Sequence, residues 1–147
     1  MSETLKFYSA GEWTTGSGEP FASINPANGN KVAMIGGASA TDVDNAVKGA
    51  QLAFNNPDWR DLKPHLRARF LYRIGGLIDA DAENLSHIQM TDNGKTLSEC
   101  RQMIAGAANC FRYYSGVCET LEGIVTPSRG DYMSMAVSEP IGIVGLI

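Results

Sequence analysis

The last seven residues, Ile141-Gly-Ile-Val-Gly-Leu-Ile147, carry no polar side chain on either face. A strand with one wet face alternates apolar and polar residues. An unbroken apolar run instead fits a strand covered on both sides, usually in a parallel sheet. Its five aliphatic side chains are worth on the order of 10 kcal/mol of burial, at about 1.5–3 kcal/mol each. A whole domain is stable by only about 5–15 kcal/mol, so such a strand has to be covered. Its backbone N–H and C=O groups also need neighbours. A parallel neighbour requires a crossover connection, and the sequence stops before one could be made. The expectation is that the partners of this strand are encoded beyond Ile147.

Composition narrows the class. With 44% hydrophobic and 19% charged residues, the 147-residue chain reads as globular and long enough for one ordinary core. A net charge of −4 and a pI near 5.1 argue against nucleic acid as the main partner. No apolar run reaches the 18 or more residues of a membrane span. The amino terminus, MSETLKFYSAGEW, lacks the basic start and apolar core of a signal peptide. Cys100, Cys110 and Cys118 form no C-x-x-C pair, which fits three reduced thiols in a cytoplasmic protein.

The first third reads as short strands and turns. Leu5–Tyr8 and Glu12–Thr14 suit a hairpin around Ser9-Ala10-Gly11, and Phe21–Ile24 and Lys31–Ile35 flank a turn at Asn28-Gly29. Helices follow Gly36-Gly37. Ser39 and Asp42 have capping-box spacing, and Val43, Ala46, Val47, Ala50 and Phe54 predict the buried face of a helix ending near Asn55-Asn56-Pro57. Pro64 suits the first turn of a second helix, with Leu66, Phe70, Ile74, Leu77 and Ile78 as its apolar face. A third helix starts at Asp81 or Asn84 and stops at Asp92-Asn93-Gly94, where Gly94 suits a left-handed cap. A fourth runs from about Thr96 to Leu121, with Cys110 and Cys118 near its apolar side. Tyr132–Ser138 then alternates as a half-exposed strand, ended by Pro140.

Chemistry-bearing motifs are sparse. His65 and His87 have no Cys or acid pair at ligand spacing, so surface histidines are the plain reading. The cysteines suit packing, and the basic residues between Arg60 and Arg73 suit a solvated helix face. Ile141-Gly-Ile-Val-Gly145 is not G-x-G-x-x-G, and neither G-x-S-x-G nor a P-loop occurs. No catalytic residue is assigned.

Five stretches, in order, nonetheless resemble the N-terminal part of the aldehyde dehydrogenase superfamily: Ser23-Ile-Asn-Pro-Ala-Asn-Gly29, Ala40–Val47 with Trp59-Arg60, Thr91-Asp-Asn-Gly-Lys95, Phe111-Arg-Tyr-Tyr-Ser-Gly116, and Glu139-Pro-Ile-Gly-Ile-Val-Gly145. The resemblance implies an α/β fold. Residues 1–123 would be the N-terminal part of an NAD(P)-binding domain, 124–140 a bridging and oligomerisation region, and 141–147 the first strand of the cofactor-binding sheet. It implies a complete enzyme that uses NAD or NADP to oxidise an aldehyde to a carboxylic acid through a cysteine thiohemiacetal. The nucleophilic cysteine and catalytic glutamate of that family lie in motifs this sequence does not contain, so the chain alone is expected to be inactive.

The same resemblance places the first cofactor-contacting residues at Ile147, for which the plain alternative is a core isoleucine. It also implies a monovalent cation, K or Na, held near Ser23, Ile24 and Asp92; alternatively Asp92 only supports the turn at Gly94. The Tyr132–Ser138 strand would join subunits of a homo-oligomer. Gly106 and Ala107 would border a substrate entrance. A different class of reading is a non-catalytic helical interaction module that pairs with another protein through exposed strands.

Overall fold

The computed structural model describes residues 4–146. Strands β2 (Phe7–Ser9) and β3 (Glu12–Thr14) pair antiparallel, with Tyr8 opposite Trp13 and their rings edge to face at 5.5 Å. The expected hairpin forms because Ala10 (φ 51°) and Gly11 (φ 91°) both take positive φ, as a two-residue turn matched to strand twist requires. Leu5 lies outside the hairpin. It belongs to β1 (Thr4–Leu5), which runs parallel to β5, so the single strand expected over Leu5–Tyr8 is divided.

Strands β4 (Phe21–Ile24) and β5 (Lys31–Ile35) are antiparallel, completing a three-stranded sheet of order β1-β5-β4. Their connection is pinned by Asn25, whose side-chain oxygen accepts from Ala27 N at 2.9 Å while its carbonyl accepts from Gly29 N at 2.8 Å.

Helix α1 (Ala40–Asn55) opens on the expected capping box. Ser39 Oγ accepts from Asp42 N at 3.3 Å, and Asp42 Oδ2 accepts from Ser39 N at 2.8 Å. Ser17 adds its backbone N–H at 2.9 Å and its hydroxyl at 2.7 Å to the same oxygen. Donors from the Ser39 and then the Ser17 backbone, reinforced by both hydroxyls, hold the Asp42 carboxyl well below the usual carboxylate range. The apolar face of α1 differs from expectation: no residue of the helix is buried, and Val43 and Val47 are 53% and 52% exposed. Ala46, Ala50 and Phe54 of the stripe are half-buried, with Ala10 close to Gly49, but the described residues leave Val43 and Val47 largely uncovered.

A short helix that periodicity does not reveal, α2 (Pro57–Arg60), follows with Pro57 at its start. It brings Trp59 edge to face with Phe70 and under the Arg67 guanidinium, 4.8 Å from the ring centre; Arg67 also donates to Trp59 O at 2.9 Å.

Helices α3 (Pro64–Ala80), α4 (Ala82–Asn93) and α5 (Leu97–Cys118) form the packed centre, with α3 against α5 the most extensive pairing. Periodicity points to the face of α3 that carries Phe70 and Leu77, which the described residues leave open. Phe70 and Leu77 are more than half exposed, whereas Ala68 and Gly75 are buried. Residues as small as these let helix backbones approach, and a Cβ on Gly75 would lie 2.9 Å from Ala108 O of α5. The fourth helix shows the same pattern: Cys100, Ala108 and Ser115 are its buried residues, and Cys110, expected near the apolar side, is exposed.

Beyond α5, β6 (Ile124–Thr126) and β7 (Ser134–Ala136) form an antiparallel hairpin exposed on both faces. The expected strand over Tyr132–Ser138 is therefore shorter, and its partner β6 lacks the alternation that would have announced it. Residues 137–146 form neither helix nor strand, with Ile141 94% and Leu146 98% exposed. The Ile141–Leu146 segment thus pairs with no strand among the described residues. Accessible surface totals 11433 Å². A compact monomer of this mass would expose about 7,300 Å².

Candidate functional site

Of the residues singled out in sequence, the structure brings Ser23 and Asp92 together. Ser23 ends the regular pairing of β4 with β5, where the register shifts between Ser23 and Ile24. Its hydroxyl donates to Asp92 Oδ1 at 2.7 Å. Asp92 stands in the last turn of α4, which is closed by Gly94 in the left-handed conformation (φ 73°), with Gly94 N donating to Met90 O at 2.9 Å. Asn93 Oδ1 accepts from Lys95 N at 3.0 Å, and Thr96 with Glu99 forms a second capping box, overlooked in the sequence, that starts α5. Donors from Thr96 hold the Glu99 carboxyl below its usual range.

The two turns touch directly. A Cβ on Gly94 would meet Pro26 Cγ at 2.7 Å, so only glycine allows the Asn25-Pro26 turn to lie this close. The result is an exposed junction between the sheet and the helical layer, with a serine hydroxyl, a carboxylate and nearby backbone carbonyls. All of these are hard oxygen donors. Asp92 is also a negative charge at the negative end of a helix dipole, with no basic residue in the last turn of α4 to offset it. The donor chemistry and charge therefore fit a small cation. They do not fit a carboxylate-rich divalent centre, because no group of three or more His, Cys, Asp or Glu is placed to hold a metal among the described residues.

Ile147, the expected cofactor-contacting residue, lies outside the described residues. Of the histidines, His87 Nε2 sits 3.1 Å from Glu83 Oε1, and Arg101 forms a two-pronged pair with the same carboxylate. Arg101 and then His87 draw the Glu83 carboxyl below its usual range. This is an exposed ion-pair network joining α4 to α5, and it has no nucleophile beside it. The cysteines are not paired with one another or grouped with acids. Gly106 is exposed, with open space around it within 4 Å.

Sequence reasoning missed a groove of about 1030 Å³ between α3 and the end of α5. Leu62, Leu66, Phe70 and Leu77 line it, with Arg69 and Arg73 beside them. The signal was the i, i+4 apolar series on α3, which was assigned to a buried core. No helix of the described residues is long and apolar enough to cross a membrane.

The model of the aldehyde dehydrogenase family matches residues 13–147. An aldehyde dehydrogenase of Aspergillus niger is 36% identical over 99% of this chain, which covers 29% of that protein. Betaine aldehyde dehydrogenase of Bacillus subtilis is 34% identical over 100% of this chain, covering 30% of its own length. The NAD+ complex of an aldehyde dehydrogenase from Bacillus cereus superposes with a TM-score of 0.85 at 30% identity, over 90% of this chain and 28% of that one. The chain thus spans less than a third of the length of these relatives.

Proposed function

This chain belongs to the aldehyde dehydrogenase family, and on that premise we propose that it is the amino-terminal segment of an enzyme oxidising an aldehyde to a carboxylic acid with NAD or NADP. Its fold is the N-terminal helical and strand portion of that family's α/β cofactor-binding domain. The carrying observation is the continuous match from residue 13 to residue 147 over under a third of each relative. The bare apolar surfaces of α1, α3 and residues 141–146 support it, because they expose area that a finished domain covers.

In this reading the reacting groups lie outside the segment, and the nicotinamide cofactor, when bound to the complete enzyme, accepts the hydride. The segment itself supplies scaffold. Residues 1–123 form the N-terminal part of the cofactor-binding domain. Residues 124–140 bridge, and residues 141–147 enter the cofactor-binding sheet, with Ile147 at its cofactor end. The exposed Tyr132–Ser138 region pairs subunits of a homo-oligomer, since a two-stranded ribbon bare on both faces has unpaired edges to offer. Ser23, Ile24 and Asp92 hold a monovalent cation between sheet and helices. Three free thiols suit a cytoplasmic enzyme.

The test compares the protein of the complete reading frame with the polypeptide ending at Ile147, following reduced nicotinamide formation with a panel of aldehydes. The longer product is expected to turn over and the shorter to show none. Turnover by the short chain, lost on mutating one of its cysteines, would overturn the assignment.

A further inference from the structure

Two N–H donors from different elements converge on one sulfur. Lys95 Nζ, in the turn before α5, lies 3.1 Å from Met103 Sδ, and Gln89 Nε2 of α4 lies 3.7 Å from it. A thioether is a weak acceptor, poorly matched to an ammonium and an amide. Met103 is 44% exposed and borders a cavity of about 320 Å³ shared with Lys95, Glu99 and Gln102. The side chain is therefore open to solvent, and the two donors that converge on it meet only a weak acceptor at sulfur.

We propose that Met103 is a site of oxidation by peroxides, and that the sulfoxide oxygen latches the Asn93–Thr96 turn to α4 and α5. A sulfur lone pair attacks one peroxide oxygen. The S–O bond forms as the O–O bond breaks, sulfur gives up two electrons, and the departing oxygen takes the proton and leaves as water, or as an alcohol from an alkyl hydroperoxide. The product exchanges a weak acceptor for a polar oxygen. That oxygen accepts from Lys95 Nζ and Gln89 Nε2 across the two helices and the turn. Met133 and Met135, 73% and 64% exposed, have no hydrogen bond to sulfur among the described residues and serve as internal comparisons.

The test uses the native protein from its own reading frame, treated with graded hydrogen peroxide. Sulfoxide at each methionine is read by peptide mass spectrometry, and amide hydrogen exchange is read over residues 93–97. Met103 should convert, and exchange at Lys95 and Thr96 should slow by about tenfold, the equilibrium value of one added hydrogen bond. In Lys95→Met the conversion should persist without the slowing, and Met103→Leu should show neither. A Met103 that stays reduced while Met133 and Met135 convert would overturn the proposal. So would conversion that leaves exchange unchanged or speeds it.

Discussion

The Ser23 hydroxyl donates to the Asp92 carboxylate across 2.7 Å and 69 residues of sequence, joining the edge of the small sheet to the end of α4. The carboxylate is thereby fixed at the negative end of the α4 dipole, where a cation would offset its charge.

Replacing a large organic cation by potassium or sodium should therefore raise the thermal midpoint of the native protein. At a concentration one hundred times the dissociation constant, binding to the folded state alone adds about 2.7 kcal/mol. Asp92→Asn should abolish the difference between salts, and Ser23→Ala should reduce it. Equal midpoints in all salts for the unaltered protein would refute the site.

Gly29 and Gly94 share a φ of 73°, but only Gly94 has a neighbour where a Cβ would sit. Both Gly→Ala changes carry the backbone cost of a left-handed residue, roughly 1–3 kcal/mol. Gly94→Ala should cost more because its methyl meets Pro26 at 2.7 Å. Urea unfolding of the two variants isolates that contact by difference.

Adjacent glycines in α3 should respond with opposite sign. Gly75→Ala places a methyl 2.9 Å from Ala108 O and 3.1 Å from Arg112 Cγ, and should destabilise by about 1–3 kcal/mol through overpacking. Gly76→Ala meets nothing within 4 Å and should stabilise by roughly 0.5–1 kcal/mol, since alanine restricts the unfolded helix segment more. Chemical denaturation of both checks the sign.

Acid should loosen the start of α1. The folded carboxyl of Asp42 titrates below its ordinary value of 3.8. Above that pH the group is charged in both states, and its stabilisation is fully present. As pH falls further, the unfolded chain takes up a proton that the folded chain refuses, so stability declines until the folded carboxyl also protonates. Asp42→Asn should flatten this decline in a series of unfolding curves below about pH 4. Ser39→Ala, which removes the cap oxygen, should cost about 1 kcal/mol near neutrality.

Local chemistry was legible in the sequence wherever a residue acts on its own neighbours. Ser39 with Asp42 marked the start of α1, Gly94 the left-handed cap of α4, and Ala10-Gly11 the hairpin turn. Faces were less legible. Hydrophobic periodicity selects large side chains, so Phe70 and Leu77 stood out while the buried Ala68, Gly75, Cys100 and Ser115 did not. The closeness of Ser23 to Asp92 depends on tertiary packing, and only the family resemblance suggested it. Neither β6 nor α2 carries a periodic signal, because three- and four-residue elements are too short to show one.

The backbones of α3 and α5 meet where side chains are nearly absent, at Gly75 against Ala108. The Arg112 side chain is laid over that point and paired to Asp79 of α3. Such a seam leaves little to rearrange, so the two helices should move as one stiff body when the outer surfaces are docked, heated or mutated. Variation can accumulate on the large residues facing outward while the seam tolerates only the smallest side chains.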